Sequence, residues 1–196
     1  LDAADGELIS ATPFTNQNWT TGEFDENGRP VLIEEAVDMA LTVVIPGPTG
    51  AHNWHPMAFN PDTGLVYIPV NEIPFFYDKT RNVEDSKSWW NIGYDAAAGW
   101  PVEYPAGTVE AVADLDGGSL LAWDPVKAEP RWAVPFPLPL NGGVLSTDAG
   151  LVFQGNKFGD LVAYDAETGE RMWSRQLVGN AAAAPMTYEI EGEQYL

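Results

Sequence analysis

The chain contains no cysteine, only two histidines (His52 and His55), and few basic residues: 9 Lys plus Arg stand against 29 Asp plus Glu. Without cysteine it cannot form a disulfide framework, a thiolate metal site, a covalent c-type haem attachment or a cysteine nucleophile of its own. Two histidines exclude an all-histidine zinc site. The formal net charge of −20 argues against nucleic acid or an anionic membrane as partner, because either polyanion would meet a field of its own sign. No run of about 18 apolar residues is present, so no helical membrane span is expected. No basic-then-apolar leader appears either. What the chain does have is 45% apolar residues, with 8 Trp, 7 Tyr and 8 Phe. That is enough to bury a core, unlike an acidic disordered tail. Nineteen Gly and 16 Pro interrupt it so often that long helices are nearly excluded.

Short β-branched or alternating apolar runs bounded by Gly, Pro, Asn and Asp recur along the chain, as in Leu65-Val66-Tyr67-Ile68, Leu120-Leu121-Ala122-Trp123, Leu151-Val152-Phe153 and Leu161-Val162-Ala163-Tyr164. This is the strand-and-turn signature, and the chain reads as all-β. Residues 34–44 alone could pass for a helix, and Val43-Val44-Ile45-Pro46 argues against it. Both ends read as interrupted hairpins: a strand end, turn and strand start over residues 1–9, and a hairpin with a barely begun second strand over 187–196. An internal repeat organises the rest. Ala163, Asp165 and Trp173 fall at the same offsets as Ala122, Asp124 and Trp132, so the two Asp lie 41 residues apart; Asp2 lies 122 before Asp124. In a second frame Gly64 and Gly150 are 86 apart, close to two periods. A period near 41–43 with four short strands per unit denotes propeller blades, about four to five of them in this length. Each Asp-x-x-x-Gly is expected to form the turn between third and fourth strands, Gly supplying positive φ and Asp bonding the turn backbone. Trp132 and Trp173 then read as structural staples docking between blades. An aromatic-rich insertion around 78–112 breaks the rhythm and reads as an ordered loop.

The 163–173 repeat resembles the tryptophan-docking motif of the eight-bladed quinoprotein dehydrogenases. The stretch Gly50-Ala51-His52-Asn53-Trp54-His55-Pro56-Met57 and its continuation to Pro69 resemble the Asn-Trp segment of the pyrroloquinoline quinone (PQQ) dependent alcohol dehydrogenases. Asn141-Gly142-Gly143-Val144 and its continuation to Gly155 resemble their C-terminal Asn-Gly-Gly-Val segment. Leu8-Ile9-Ser10-Ala11 and Asn27-Gly28-Arg29-Pro30-Val31 are similar to the stretch after that family's cofactor lysine. The resemblance runs unbroken over residues 1–196 and implies the C-terminal part of such a propeller, from an enzyme oxidising alcohols to aldehydes with PQQ and calcium. It implies cofactor contacts at Asn53, Trp54 and the backbone amide of Val144. PQQ, with three carboxylates and an ortho-quinone, needs an amide donor, a flat wall and N–H groups at a Gly-Gly approach where no side chain intrudes.

In the resembled family the aspartate base, the calcium ligands, the adjacent-cysteine ring and the cofactor lysine and arginine precede this part. The resemblance therefore implies no catalytic residue and no metal ligand within 1–196, and an isolated chain without activity. It also implies a small alcohol substrate, a remaining propeller half or companion chain, a cytochrome c as electron acceptor, and a periplasmic location. His52 and His55 read as structural histidines rather than a general base, and Asp114-Leu115-Asp116-Gly117-Gly118 as a turn lacking the later ligands of a calcium loop. The competing reading is a non-catalytic propeller used as a scaffold for assembly or binding. Such a scaffold has no need of both the Asn53-Trp54 and the Asn141-Gly142-Gly143-Val144 segments.

Overall fold

A computed structural model describes residues 1–34, 41–78, 115 and 117–196. Every regular element of more than one residue in it is a strand, in chain order β1 (Thr20–Phe24), β2 (Pro30–Leu32), β3 (Leu41–Val44), β4 (Ala58–Asn60), β5 (Leu65–Asn71), β6 (Phe75–Asp78), β7 (Gly118–Asp124), β8 (Glu129–Phe136), β9 (Val144–Ser146), β10 (Leu151–Gly155), β11 (Asp160–Asp165), β12 (Arg171–Gln176), β13 (Tyr188–Ile190) and β14 (Glu193–Tyr195). Residues 41–44, the end of the segment with helical potential, are therefore strand. The insertion expected around 78–112 lies outside the described residues except for Asp78.

The chain divides into two compact units, Leu1–Pro48 with Ile73–Leu115, and Thr49–Glu72 with Asp116–Leu196. In the first, β1 pairs with β2 and β3 with β6, all antiparallel. Asn18 extends the β3 ladder sideways: its Nδ2 donates to Val43 C=O and its Oδ1 accepts from Ile45 N–H, each at 2.8 Å. At the N-terminus the expected turn is present, with Gly6 N–H donating to Asp2 C=O at 2.9 Å and Asp2 N–H to Glu7 C=O at 2.8 Å. The flanking strands expected there are not formed. Residues 1–10 are exposed throughout, so they gain no apolar burial that would fix a pairing.

The second unit holds two four-stranded antiparallel meanders in the orders β4-β5-β7-β8 and β9-β10-β11-β12. These are propeller blades. The repeat seen in the sequence falls on equivalent places: Ala122 faces Trp132 and Ala163 faces Trp173 across the third and fourth strands, and each ladder shifts register at the next residue. The turn at Asp165 is built as expected. Its Oδ1 accepts from the N–H groups of Glu167 and Thr168 at 3.0 and 2.9 Å, and Gly169 takes φ +75°. The Thr168 hydroxyl also donates to Oδ1 at 2.9 Å, and this bond first, then the N–H bonds of Thr168 and Glu167, hold the Asp165 carboxyl below the usual carboxylate range. In the degraded copy Asp124 makes the same bonds to Val126 and Lys127, but Ala128 occupies the glycine position and takes φ +55° without being glycine.

Between the blades Trp132 docks flat against Gly169, where an added Cβ would lie 2.7 Å from the indole. Its Nε1 donates to Ala166 C=O at 3.1 Å, and the fully buried Tyr67 hydroxyl donates to the same carbonyl at 3.0 Å. Asn60, buried at the first turn of one blade, donates from Nδ2 to Ser146 Oγ and Thr147 C=O in the next. The core between these contacts consists of Leu65, Tyr67, Leu120, Ala122, Val144, Val152, Val162, Tyr164 and Ala166 with Phe136. Trp132 is thus a staple. Trp173 occupies the equivalent register with 45% of its surface exposed. At the C-terminus β13 and β14 form the expected hairpin, with Glu191 and Gly192 both at positive φ, the pairing that matches strand twist in a two-residue loop.

Candidate site at the loop junction of the two blades

The 49–56 loop precedes β4 and lies along the free edge of β5. Asn71 N–H donates to Ala51 C=O at 2.7 Å, and the His52 ring nitrogen Nδ1 lies 3.2 Å from Pro69 C=O. A carbonyl only accepts, so Nδ1 carries the proton. The same contact explains a proline inside a central strand. A residue's N and C=O point to one side, so Pro69's missing N–H faces the edge where β4, paired only with Leu65, Val66 and Tyr67, has already ended.

Within the loop Asn53 is held by its own backbone neighbourhood. Its Nδ2 donates to Thr49 C=O at 2.7 Å and its Oδ1 accepts from Trp54 N–H at 2.8 Å. One N–H and one lone pair of the exposed amide remain for another partner. Trp54 is 68% exposed. One face of its indole stacks on the His55 imidazole, centroids 4.0 Å apart and planes 25° from parallel, and the indole is otherwise open. His55 itself is 3% exposed. Burial, with the nearby charges of His52 and Lys157, lowers its pKa and so favours the neutral ring. Both histidines are engaged within the loop, His52 toward Pro69 C=O and His55 under the Trp54 indole.

The 140–144 segment meets this loop directly. Gly143 lies so close to Pro56 that an added Cβ would sit 2.6 Å from its ring and 2.9 Å from Ala184 Cβ. Gly142 is as crowded, with Ala181 C=O 2.4 Å from its Cβ position. Neither glycine is among the positive-φ residues, so the pair is there for close approach. Val144 is buried, and its N–H donates to Pro56 C=O at 2.9 Å. The three sequence-predicted residues are thus brought together, with one difference of role. Asn53 and Trp54 face outward with free capacity, whereas the Val144 amide is engaged within the chain and ties the Gly-Gly segment to the Asn-Trp loop. A flat ligand with carboxylate and quinone oxygens fits the Asn53 amide and the open Trp54 face; the Val144 donor is available only by exchange. Sequence reasoning missed Pro56 as the link, and the buried amides of Asn71 and Gln154 behind it. The one signal for the two amides was a polar residue near the end of an apolar strand run. Among the described residues no group of three or more His, Cys, Asp or Glu is placed to hold a metal ion.

Residues 118–196 match the family model described as the PQQ glucose/ethanol/alcohol dehydrogenase β-propeller domain. The whole chain is 40% identical to the quinohemoprotein alcohol dehydrogenase ADH-IIG of Pseudomonas putida, spanning 28% of that protein. It is 43% identical to the ADH IIB enzyme of the same species, spanning 27% of it. The crystal structure of the quinohemoprotein alcohol dehydrogenase from Comamonas testosteroni superposes with a TM-score of 0.81 at 38% identity, covering 99% of this chain and 29% of that one. The chain thus spans little more than a quarter of the proteins it matches.

Proposed function

We infer that this chain belongs to the PQQ-dependent alcohol dehydrogenase β-propeller family and propose that it forms one wall of the PQQ site in an enzyme that oxidises alcohols to aldehydes. The chemistry that the quinone supplies when bound is acceptance of the two electrons of alcohol oxidation, with calcium as Lewis acid. The parts this chain would contribute are binding and orientation. Asn53 would donate its remaining N–H to a cofactor oxygen, and Trp54 would present its open face to the ring system while His55 backs the other. Gly142 and Gly143 let the 140–144 segment pack closely against Pro56, Ala181 and Ala184, which fixes its place beside the Asn53-Trp54 loop. For Val144 the proposal requires its N–H to exchange Pro56 C=O for a cofactor oxygen.

The base and the calcium ligands are proposed to come from residues outside 1–196. A cytochrome haem as next electron acceptor, in keeping with the word quinohemoprotein in the relatives' names, and a periplasmic location are parts of the same proposal. The observation that carries it is the junction itself: Pro56 joins the outward-facing Asn53-Trp54 pair to the Gly142-Gly143-Val144 segment at one end of two stapled blades.

The test is alcohol-dependent dye reduction by the full-length protein after addition of PQQ and Ca²⁺. The expected result is turnover that needs PQQ, and none from residues 1–196 alone. A full-length protein that neither binds PQQ nor oxidises any alcohol would overturn the proposal and favour a scaffold.

A further inference from the structure

We propose that Asn71 and Gln154 are positioning residues that clamp the 140–142 turn from two blades and so set the backbone offered by Gly142, Gly143 and Val144. The clamp stands on the geometry alone; its consequence for cofactor affinity rests on the PQQ reading above.

Leu140 is the strained point. It takes φ +58°, a region where its branched side chain crowds the backbone and which persists only when the surroundings over-determine it. The restraint comes from Asn71, 2% exposed at the end of β5, whose Oδ1 accepts from Leu140 N–H at 2.7 Å. Because Asn71 N–H also donates to Ala51 C=O at 2.7 Å, one residue ties the strained turn to the Asn53-Trp54 loop. On the next blade Gln154, 1% exposed in β10, donates from Nε2 to Gly142 C=O at 2.8 Å. Between the two clamps Asn141 holds itself, Nδ2 donating to Leu138 C=O at 2.7 Å and Oδ1 accepting from Lys157 N–H at 3.2 Å.

Both clamps carry an unmet group. Among the described residues Asn71 Nδ2 and Gln154 Oε1 are buried and have no hydrogen-bond partner. An amide with half its bonding capacity unmet is a poor way to fill a core, since an apolar side chain of similar volume would avoid the desolvation cost. What distinguishes these two positions is the single bond each makes to the turn. Leucine at 71 or methionine at 154 would preserve volume and remove only that bond.

The experiment compares full-length wild type, Asn71→Leu, Gln154→Met, Leu140→Gly and the Asn71→Leu/Leu140→Gly double variant. Amide exchange without cofactor reads the clamp; equilibrium dialysis with PQQ reads its consequence. Exchange at 140–144 should accelerate about tenfold in each clamp variant, the worth of one buried hydrogen bond, while β5, β7 and β10 keep their protection. Glycine at 140 relieves the strain Asn71 holds, so the double variant should recover toward wild type in exchange and PQQ affinity. Unchanged exchange at 140–144, or acceleration spread over both blades without rescue by Leu140→Gly, would overturn the clamp. Local acceleration with rescue but unaltered PQQ affinity would uphold the clamp and overturn this segment's place in the cofactor wall. If Asn71→Leu fails to fold, Gln154→Met decides: acceleration confined to 140–144 upholds the clamp, and unchanged or blade-wide exchange overturns it.

Discussion

Gly169 meets two demands that no other residue meets together: φ +75° and an indole 2.7 Å from where its Cβ would be. Gly169→Ala should therefore cost about 2–3 kcal/mol, the left-handed backbone and the overpacked Trp132 each contributing, read as a lower urea midpoint. Ala128 is the converse, since it holds φ +55° against its preference; Ala128→Gly should gain about 0.5–1 kcal/mol, and a loss would contradict the turn geometry. His55 supplies a pH dependence. Burial lowers its folded pKa below the ordinary histidine value of 6.5, so the neutral ring is favoured by folding. Its contribution is complete above that value and is lost as pH falls through the lower, folded one. Stability should decline on acidification below pH 6.5 more steeply in wild type than in His55→Phe, measured by urea unfolding across that range.

At the scale of elements the two blades are joined by polar ties as well as apolar contact. Asn60→Ala removes its bonds to Ser146 and Thr147 and the turn bonds it makes to Asp62 and Thr63. It should destabilise by about 1–3 kcal/mol, and a double-mutant cycle with Ser146→Ala should show coupling. The turns and the staple were legible in the sequence because their chemistry is local: Asp bonds the backbone two and three residues on, glycine follows at a fixed offset, and the tryptophan position follows from the ladder. The site was legible in part. Asn53, Trp54 and the Gly-Gly pair stand out as residue types, but the reason for the glycines, Pro56 and Ala184, is 40 or more residues away and leaves no local trace. Asn71 and Gln154 were hidden for the same reason; a polar residue near a strand end reads as exposed until the neighbouring blade is in place. Val144 is the third case, since the Pro56 carbonyl that its N–H meets lies 88 residues away in sequence and no local pattern announces it.

Across the whole molecule the dominant charge is negative, −20 formally, and the described salt bridges are those of Lys127 with Asp124 and Glu129 at 3.5 and 3.8 Å. Self-repulsion of that size is screened by salt. The melting temperature should rise between low and moderate NaCl concentration, and a flat or falling profile would show that the acidic surface is already compensated. No helix among the described residues is long and apolar enough to cross a membrane. The proposed PQQ wall at the junction of the two blades is tested by equilibrium dialysis of PQQ against full-length wild type, Asn53→Ala and Trp54→Ala. Wild type should bind saturably, with each variant weakened about tenfold or more, the loss expected for a hydrogen bond or a stacking face. Binding of equal strength in all three proteins would contradict it.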